Sequence, residues 1–342
     1  MCSPAEAEKR VGLEEKVSFL SRPGAYARIE GGHPAGVERV ETHMAWVFLT
    51  DRHAWKLKKP VRYEFLDFST LEARRRDSLK EVALNARLAP GVYLDVVPLC
   101  LQPGGGLRLG ADGPVVDWLV RMLRLPAADF LDARLDDAGV SGAEIGRLAD
   151  VLAAFYAAAV PVGLSGGTYA ERLAARIRDD VGELLRHDHH AEGCEAVGAA
   201  LLGYLGSGPG LFDDRACRVV EGHGDLRPEH VCLTRLPVVI DCLEFNRDFR
   251  IVDPLDELAF LAMECEFQGV ATPGRTLLEA VCGRLHDEPP PSLVRFYASM
   301  RGLLRAKLAL SHVWDRDRHD QARWRAKARA YLRLAGLHVP RS

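Results

Sequence analysis

The stretch that decides the fold is HGDLRPEH at residues 223–230, followed by VVID at residues 238–241. The apolar, β-branched residues around this stretch predict a strand, a loop and a second strand within residues 218–252. A hairpin of this kind would present Asp225 and Asp241 at one mouth, with Arg227 as a cation two residues after the first carboxylate. Two carboxylates and a cation around a pocket are what Mg²⁺-assisted phosphoryl transfer requires. The alternative is a hairpin whose aspartates are surface turn residues.

The chain before this stretch divides into a sheet-forming half and a helical half. Three strands are predicted from VERVET (37–42), MAWVFLT (44–50) and HAWKLKK (53–59), since each run is rich in β-branched and aromatic residues. A helix follows, for which Ser69 and Glu72 predict a capping box with Ser69 as the N-cap. Two further strands are predicted at 93–101 and 115–125. The first 124 residues therefore predict a small sheet with one inserted helix.

Beyond Pro126 the spacing of apolar residues changes to that of helices. The predicted helices cover residues 142–160, 169–187, 194–205, 254–267, 274–287, 291–313 and 320–335. The fold class is therefore α+β, with an N-terminal lobe at 1–124 and a C-terminal lobe at 125–342.

Lysine usage marks a second candidate site. Only eight of the 45 basic residues are lysines, yet Lys56, Lys58 and Lys59 lie within four positions of one predicted strand. An ammonium group is a compact point charge that suits a phosphate in a tight site, so the cluster is a candidate phosphate contact. The alternative is a solvated edge strand that carries lysines.

These motifs resemble those of a known family. HGDLRPEH followed by IDCLEF is similar to the catalytic loop and metal motif of protein-kinase-like phosphotransferases. The resemblance is nearest to aminoglycoside phosphotransferases and choline kinases, and within them to an uncharacterised bacterial group that is often fused to a P-loop ATPase. It runs from about residue 17 to about residue 335. No G-x-x-x-x-G-K-[ST] motif occurs in the sequence.

The resemblance implies a bilobal protein-kinase-like fold with ATP and Mg²⁺ between the lobes. It implies that Asp225 is the catalytic base and that Arg227 stands where protein kinases place a lysine for the γ-phosphate. Lys56 matches the strand lysine that pairs the α- and β-phosphates, with Lys58 on the same face as a fallback. Glu81 matches the helix glutamate that orients this lysine.

The metal ligands implied by the resemblance are Asp241 and the residue five positions after the catalytic aspartate. The family pattern has asparagine at that position, whereas this chain has His230. If His230 is a ligand, Mn²⁺ should serve better than Mg²⁺, because Mn²⁺ tolerates nitrogen ligands better. Alternatively, His230 only hydrogen-bonds nearby backbone and Asp241 alone holds the metal. Two further acids, Asp253 and Glu257, lie where the family braces its catalytic loop.

Two groups of basic residues in the C-terminal lobe are interpreted as solvated. Arg305 and Lys307 are predicted to lie on a solvated helical face, and the alternative is that they form a substrate clamp. The four alternating cations near the C-terminus are spaced too closely to share one face and are interpreted as surface charge; they are Arg323, Arg325, Lys327 and Arg329.

Composition narrows the function classes. The chain has 342 residues and a net charge of −3, which argues against a globally basic nucleic-acid binder and a polybasic membrane-surface protein. The eight cysteines are scattered, with neither C-x-x-C nor metal-ligand spacing, and the N-terminal residues lack a signal-peptide pattern. We therefore expect a cytoplasmic protein without nucleic-acid or membrane partners; its oligomeric state cannot be predicted.

The sequence thus predicts an ATP-dependent kinase whose acceptor is a hydroxyl of a small molecule, such as an aminoglycoside, sugar or amino alcohol. A catalytically weak or inactive nucleotide-binding pseudokinase that regulates a partner is the alternative. A kinase that acts on protein substrates is a third reading.

Overall fold

The computed structural model describes residues 11–63, 65–136, 139–187, 193–315 and 320–340. The chain divides into two compact units. The first unit is Met1–Ala127 together with Val238–Arg247, and the second is Ala128–Pro237 together with Asp248–Ser342. The short segment that contains Asp241 thus groups with the N-terminal unit.

The first unit is built on a six-stranded antiparallel sheet. Two helices precede the sheet, α1 (Leu13–Leu20) and α2 (Ala27–Glu30). The strands are β1 (Glu38–Glu41), β2 (Ala45–Leu49), β3 (His53–Lys58), β6 (Tyr93–Leu101), β7 (Leu107–Leu109) and β8 (Val115–Leu123). Their order across the sheet is β1-β2-β3-β8-β6-β7. A separate small hairpin consists of β4 (Arg62–Tyr63) and β5 (Leu66–Asp67).

The two faces of strand β3 carry different side chains, apolar residues on one face and lysines on the other. Successive side chains of a strand point to opposite faces. Trp55 and Leu57 are completely buried in the apolar core. Lys56 and Lys58 therefore share the other face of the sheet, as the alternation in the sequence predicts.

The helix after the sheet's first three strands, α3 (Leu71–Asn85), begins one residue later than the capping-box pattern predicts. The N-cap is Thr70, whose hydroxyl oxygen accepts a hydrogen bond from the Ala73 N–H at 3.2 Å. Ser69 instead donates its hydroxyl to Asp67. Glu72 is then too close to the N-cap for a capping box, which requires the acid at the third helical position. The predicted cap at Ser69 is wrong, although the predicted helix is present.

The second unit is mainly helical, and all seven of its predicted helices are present. Its helices are α4 (Leu131–Asp136), α5 (Gly142–Ala158), α6 (Gly166–His187), α7 (Cys194–Ser207), α8 (Pro209–Ala216), α9 (Pro254–Phe267), α10 (Ala271–Arg284), α11 (Pro291–Asp315) and α12 (Gln321–Leu337). Helix α9 coincides with its predicted bounds because Asp253 caps it and Pro254 occupies its first position, where a missing N–H costs nothing.

The segment predicted as a strand-rich hairpin contains little regular strand. Val220–Glu221 pairs with Ile251–Val252, and the residues that follow the HGDL motif form a 3₁₀ turn at Pro228–His230. Two further two-residue strands, Val231–Cys232 and Val238–Val239, come after this turn. The HGDLRPEH segment is therefore a loop flanked by the predicted strands, which are short.

Candidate active site

The loop that carries Asp225 is held by a buried glutamate on α9. Glu257 accepts hydrogen bonds from the backbone N–H groups of His223, at 3.1 Å, and of Gly224. The Tyr156 hydroxyl donates to the same carboxylate at 2.8 Å. Gly224 has φ 90°, in the left-handed region that favours glycine, so this residue gives the loop its turn. Burial raises the pKa of Glu257, although these donors oppose the shift.

Asp225 lies in a cationic environment within the second unit. Its Oδ2 accepts a hydrogen bond from the Arg227 guanidinium at 2.8 Å, and Arg227 also pairs with Glu229. Burial alone would raise the pKa of Asp225, but Arg227, His230 and Arg305 outweigh it and lower the pKa to about 2. Asp225 is therefore ionised at neutral pH and can accept a hydrogen bond from a hydroxyl group.

Both ring nitrogens of His230 have hydrogen-bond partners on this loop. Nδ1 lies 2.8 Å from the backbone oxygen of Asp225, and Nε2 lies 3.3 Å from the Arg227 guanidinium. A carbonyl oxygen can only accept, so Nδ1 must carry the proton, and in the neutral ring the lone pair is on Nε2. That lone pair faces a cation. This geometry favours the hydrogen-bonding role of His230, while the predicted role as a metal ligand stays a prediction.

In the first unit, Lys56 on β3 joins Glu81 and Asp241. Its ammonium lies 2.8 Å from Glu81 Oε1 and 2.9 Å from Asp241 Oδ1. Burial would lower the pKa of Lys56, but Asp241 and Glu81 raise it well above its ordinary value. The Glu81 side chain is fully buried, whereas that of Asp241 is 46% exposed. Of these two carboxylates, solvent therefore reaches the one of Asp241.

Lys58 forms a second and deeper ion-pair cluster around the same glutamate. Its ammonium lies 2.7 Å from Glu81 Oε2 and 2.9 Å from Asp77, and it also pairs with Glu244. The sequence reasoning missed Asp77 and Glu244. A local signal was present for Asp77, because it lies one helical turn before Glu81.

The backbone at Asp241 is held in an uncommon conformation. Asp241 has φ 60°, which non-glycine residues rarely adopt. Its N–H donates to the Tyr93 hydroxyl at 3.1 Å, and the next N–H, that of Cys242, donates to Asn85 Oδ1 at 3.0 Å. Strained residues of this kind persist only where the surroundings fix them, and they concentrate at functional sites.

The chemistry of these donors fits a hard cation at Asp241 and phosphate at Lys56. A half-exposed carboxylate offers the oxygen ligand that Mg²⁺ prefers. Across the described ranges, no cluster of three or more His, Cys, Asp or Glu side chains could hold a metal by itself. A metal at Asp241 would therefore need further ligands, such as water and nucleotide phosphate.

Three sequence interpretations need correction. Glu257 contacts the catalytic loop as expected. The Asp253 carboxylate instead accepts hydrogen bonds from Arg215, from Tyr297 and from a backbone N–H of its own helix. Arg305 is not solvated, because its side chain is 13% exposed and bonds to Glu264 at 2.8 Å. Lys307 pairs with buried Asp180.

Comparison with solved structures confirms the predicted fold. A choline/ethanolamine kinase family protein from Mesorhizobium loti superimposes with a TM-score of 0.52 at 16% identity, over 96% of this chain and 98% of that one. The GDP complex of an aminoglycoside 2′-phosphotransferase variant superimposes with a TM-score of 0.53 at 16% identity, over 95% of this chain and 98% of that one. LicA in complex with AMP gives a TM-score of 0.52 at 14% identity, over 95% of this chain and 100% of that one. This chain has the protein-kinase-like fold that aminoglycoside phosphotransferases and choline/ethanolamine kinases share.

Sequence comparison finds relatives without an assigned activity. Uncharacterised proteins of Mycobacterium tuberculosis (strain H37Rv) and Mycobacterium bovis are each 34% identical over 278 residues, which is 78% of this chain and 53% of theirs. The chain therefore spans about half the length of the curated relatives it matches, and the predicted link to a fused P-loop ATPase stays a prediction. No family model matches the chain. None of the helices in the described part of the chain combines the length and apolar character needed to cross a membrane.

Proposed function

We propose that this protein transfers the γ-phosphoryl group of ATP to a hydroxyl group of a small molecule. The observation that carries the proposal is the position of Lys56, whose ammonium joins the buried Glu81 to the half-exposed Asp241. An ion pair between a strand lysine and a helix glutamate is the arrangement that phosphotransferases of this fold class use to hold nucleotide phosphates. A purely structural ion pair would not require the strained backbone of Asp241.

In this proposal the first unit binds the nucleotide. Lys56 contacts the α- and β-phosphates, and Glu81 keeps its ammonium in place. Asp241 supplies a carboxylate oxygen to Mg²⁺, which when bound neutralises charge on the phosphate oxygens. Tyr93 and Asn85 hold the backbone of this segment and so orient the carboxylate.

The second unit supplies the group that acts on the acceptor. Asp225 accepts a hydrogen bond from the acceptor hydroxyl and orients its oxygen toward the phosphorus atom, and it takes up the hydroxyl proton as the new P–O bond forms and ADP leaves. A carboxylate whose pKa is about 2 is a weak base. That suits a loose transition state, in which the hydroxyl needs orientation more than early deprotonation. Arg227 stabilises charge on the transferred group, and His230 fixes the geometry of both residues.

The test is nucleotide turnover together with nucleotide binding. ADP release is measured with ATP and with GTP against a panel of sugars, amino alcohols, hydroxy acids and aminoglycosides, and a thermal shift reports binding. Asp225→Asn should lower kcat by about 10²–10⁴-fold, as expected for a general base, while the shift with ATP is retained. The matched control is Asp150→Asn, since Asp150 is an exposed carboxylate that also pairs with an arginine.

The outcomes separate the candidate functions. Turnover that depends on Asp225 and not on Asp150 supports the phosphotransferase. A thermal shift without turnover for any acceptor would instead support the nucleotide-binding module. Wild-type turnover in Asp225→Asn would overturn the role of Asp225.

A further inference from the structure

Three helices of the second unit bring cations and aromatic rings to the Asp225 loop. Arg305 on α11 lies close enough to Asp225 and Glu229 for its charge to lower the pKa of both. Lys327 on α12 interacts electrostatically with Arg305, Glu229 and Arg227. This cation group (Arg227, Arg305 and Lys327) therefore adjoins the carboxylate to which the proposed function assigns the acceptor hydroxyl.

The carboxylates of this region are already paired. Asp225 and Glu229 both bond to Arg227. Glu264 accepts from Arg305 at 2.8 Å and from the Tyr331 hydroxyl at 2.9 Å. A cationic acceptor, such as an amine, would have to displace an arginine from one of these carboxylates.

Lys327, by contrast, forms no direct ion pair with a carboxylate among the residues that the structure describes, although the charges of Glu264 and Glu229 act on it. Its ammonium lies 5.6 Å from the centre of the Trp324 ring and 6.0 Å from the centres of the Phe267 and Tyr331 rings. Burial and the neighbouring Arg305 cation lower its pKa. The side chain is half-buried, so its interpretation as plain surface charge is wrong.

Two further donors in the same region lack an acceptor. Neither the Arg227 Nε–H nor the Trp324 Nε1–H has a partner within the described ranges, although both atoms are buried. A buried donor without a partner destabilises the folded protein, so a ligand that supplies oxygen acceptors would recover this lost free energy. Gln268 Oε1 is likewise an unpartnered acceptor, but it is uncharged and does not offset the cations.

We infer that the acceptor is an anionic alcohol, a hydroxyl compound that bears a carboxylate or phosphate group bound by Lys327 together with the free donors of Arg227 and Trp324. This inference rests on the proposed function, because it deepens the acceptor site of that reaction. The rings of Phe267 and Trp324 are partly exposed and would pack against the carbon skeleton of the acceptor. An aminoglycoside, which is a polycation, does not fit this charge pattern.

The test compares small hydroxyl compounds of different charge. D-Glycerate, glycerol 3-phosphate, glycerol and ethanolamine are measured by ADP release for kcat and KM, and by calorimetric binding to the full chain in the presence of a non-hydrolysable ATP analogue. The kcat/KM of one anionic compound should exceed that of glycerol and of ethanolamine by about tenfold or more. A factor of this size is what one charge-assisted hydrogen bond contributes. The two anions distinguish carboxylate from phosphate recognition.

Variants of α12 assign the effect to Lys327. Lys327→Gln should raise the KM for the anionic acceptor by about tenfold, and Lys327→Glu should reverse the preference toward ethanolamine. Trp324→Phe keeps the ring and removes only the N–H donor, so it should raise the same KM by a smaller factor. The control is Arg329→Gln on the same helix, since Arg329 is exposed.

The outcomes for the inference and for the proposed function differ. Turnover only with glycerol or ethanolamine would overturn the anionic acceptor and leave phosphoryl transfer standing. Binding of an anion that Lys327→Gln weakens, without turnover, would support the anion site and count against the kinase. If Lys327→Gln raises the KM for ATP instead of the KM for the acceptor, the cation group binds the nucleotide and the inference is overturned. The absence of anion binding to the wild type would also overturn it.

Discussion

Glu81 and Lys58 form an ion pair of 2.7 Å in which the two side chains are 0% and 2% exposed. The same carboxylate reaches Lys56 through its other oxygen at 2.8 Å. One buried glutamate thus holds two lysines of one strand. The two lysines differ in what lies beyond Glu81: Asp77 and Glu244 for Lys58, and the half-exposed Asp241 for Lys56. We therefore expect Lys58 to stabilise the first unit and Lys56 to serve the nucleotide.

Replacement of Lys58 by methionine should destabilise the protein more than the same change at Lys56. Lys58→Met removes the cation that Asp77, Glu81 and Glu244 share, and breaking a buried ion pair costs about 3–5 kcal/mol. Lys56→Met removes a cation that is more exposed and should cost less. The measurement is urea unfolding, with Lys80→Met as the control because Lys80 is an exposed lysine on α3. Equal losses at Lys56 and Lys58 would contradict this division of roles.

Double-mutant cycles with Glu81 should separate the two lysines by readout. Lys56→Ala and Glu81→Ala should be strongly non-additive in the KM for ATP, because either change disrupts the same phosphate contact. Lys58→Ala and Glu81→Ala should instead be non-additive in the free energy of unfolding. If the effects on the KM for ATP are non-additive for Lys58 and Glu81 but additive for Lys56 and Glu81, then Lys58 is the lysine that binds phosphate.

The two lysines also show what the sequence could predict. Alternation along β3 was enough to place Lys56 and Lys58 on one face, since period two is a local property of strands. The sequence could not predict that Glu244 would join Lys58, because the two residues are 186 positions apart and no local pattern links them. Contacts between distant parts of the sequence also determine the surroundings of the cations in the proposed acceptor site. Arg305 and Lys327 read as surface charge because Glu264, which pairs with Arg305, and Phe267, which lies near Lys327, both belong to another helix.

Substitution of His230 by asparagine should leave the metal preference unchanged. Both ring nitrogens of His230 are engaged by the loop, so the metal would be held by Asp241 without it. Asparagine can keep the bond to the Asp225 carbonyl through its amide N–H, so the loss of activity should be modest, about tenfold or less. The measurement is turnover with Mg²⁺ and with Mn²⁺ in the wild type and in His230→Asn.

A different result would restore the ligand role of His230. If the wild type prefers Mn²⁺ and the variant prefers Mg²⁺, an imidazole nitrogen has been exchanged for an amide oxygen at the metal. A loss of activity equal in both metals, by contrast, agrees with a role in positioning Asp225 and Arg227.

The charge of Asp225 should make the second unit sensitive to acid in a defined direction. Its pKa falls from 3.8 to about 2 on folding, so the unfolded chain takes up a proton at a higher pH than the folded chain does. The stability that Asp225 contributes is therefore complete above the unfolded pKa and is lost as the pH falls through the folded pKa. The amount is about 2 kcal/mol, since one pKa unit corresponds to about 1.4 kcal/mol.

Urea unfolding between about pH 5 and about pH 2.5 measures this loss. The free energy of unfolding of Asp225→Asn should lie below that of the wild type at the upper end, and the difference should shrink at the lower end. Asp150→Asn serves again as the control, because its exposed ion pair should contribute little at either end. A difference between the wild type and Asp225→Asn that stays constant across this range would mean that Arg227 does not hold the Asp225 carboxylate in its charged form.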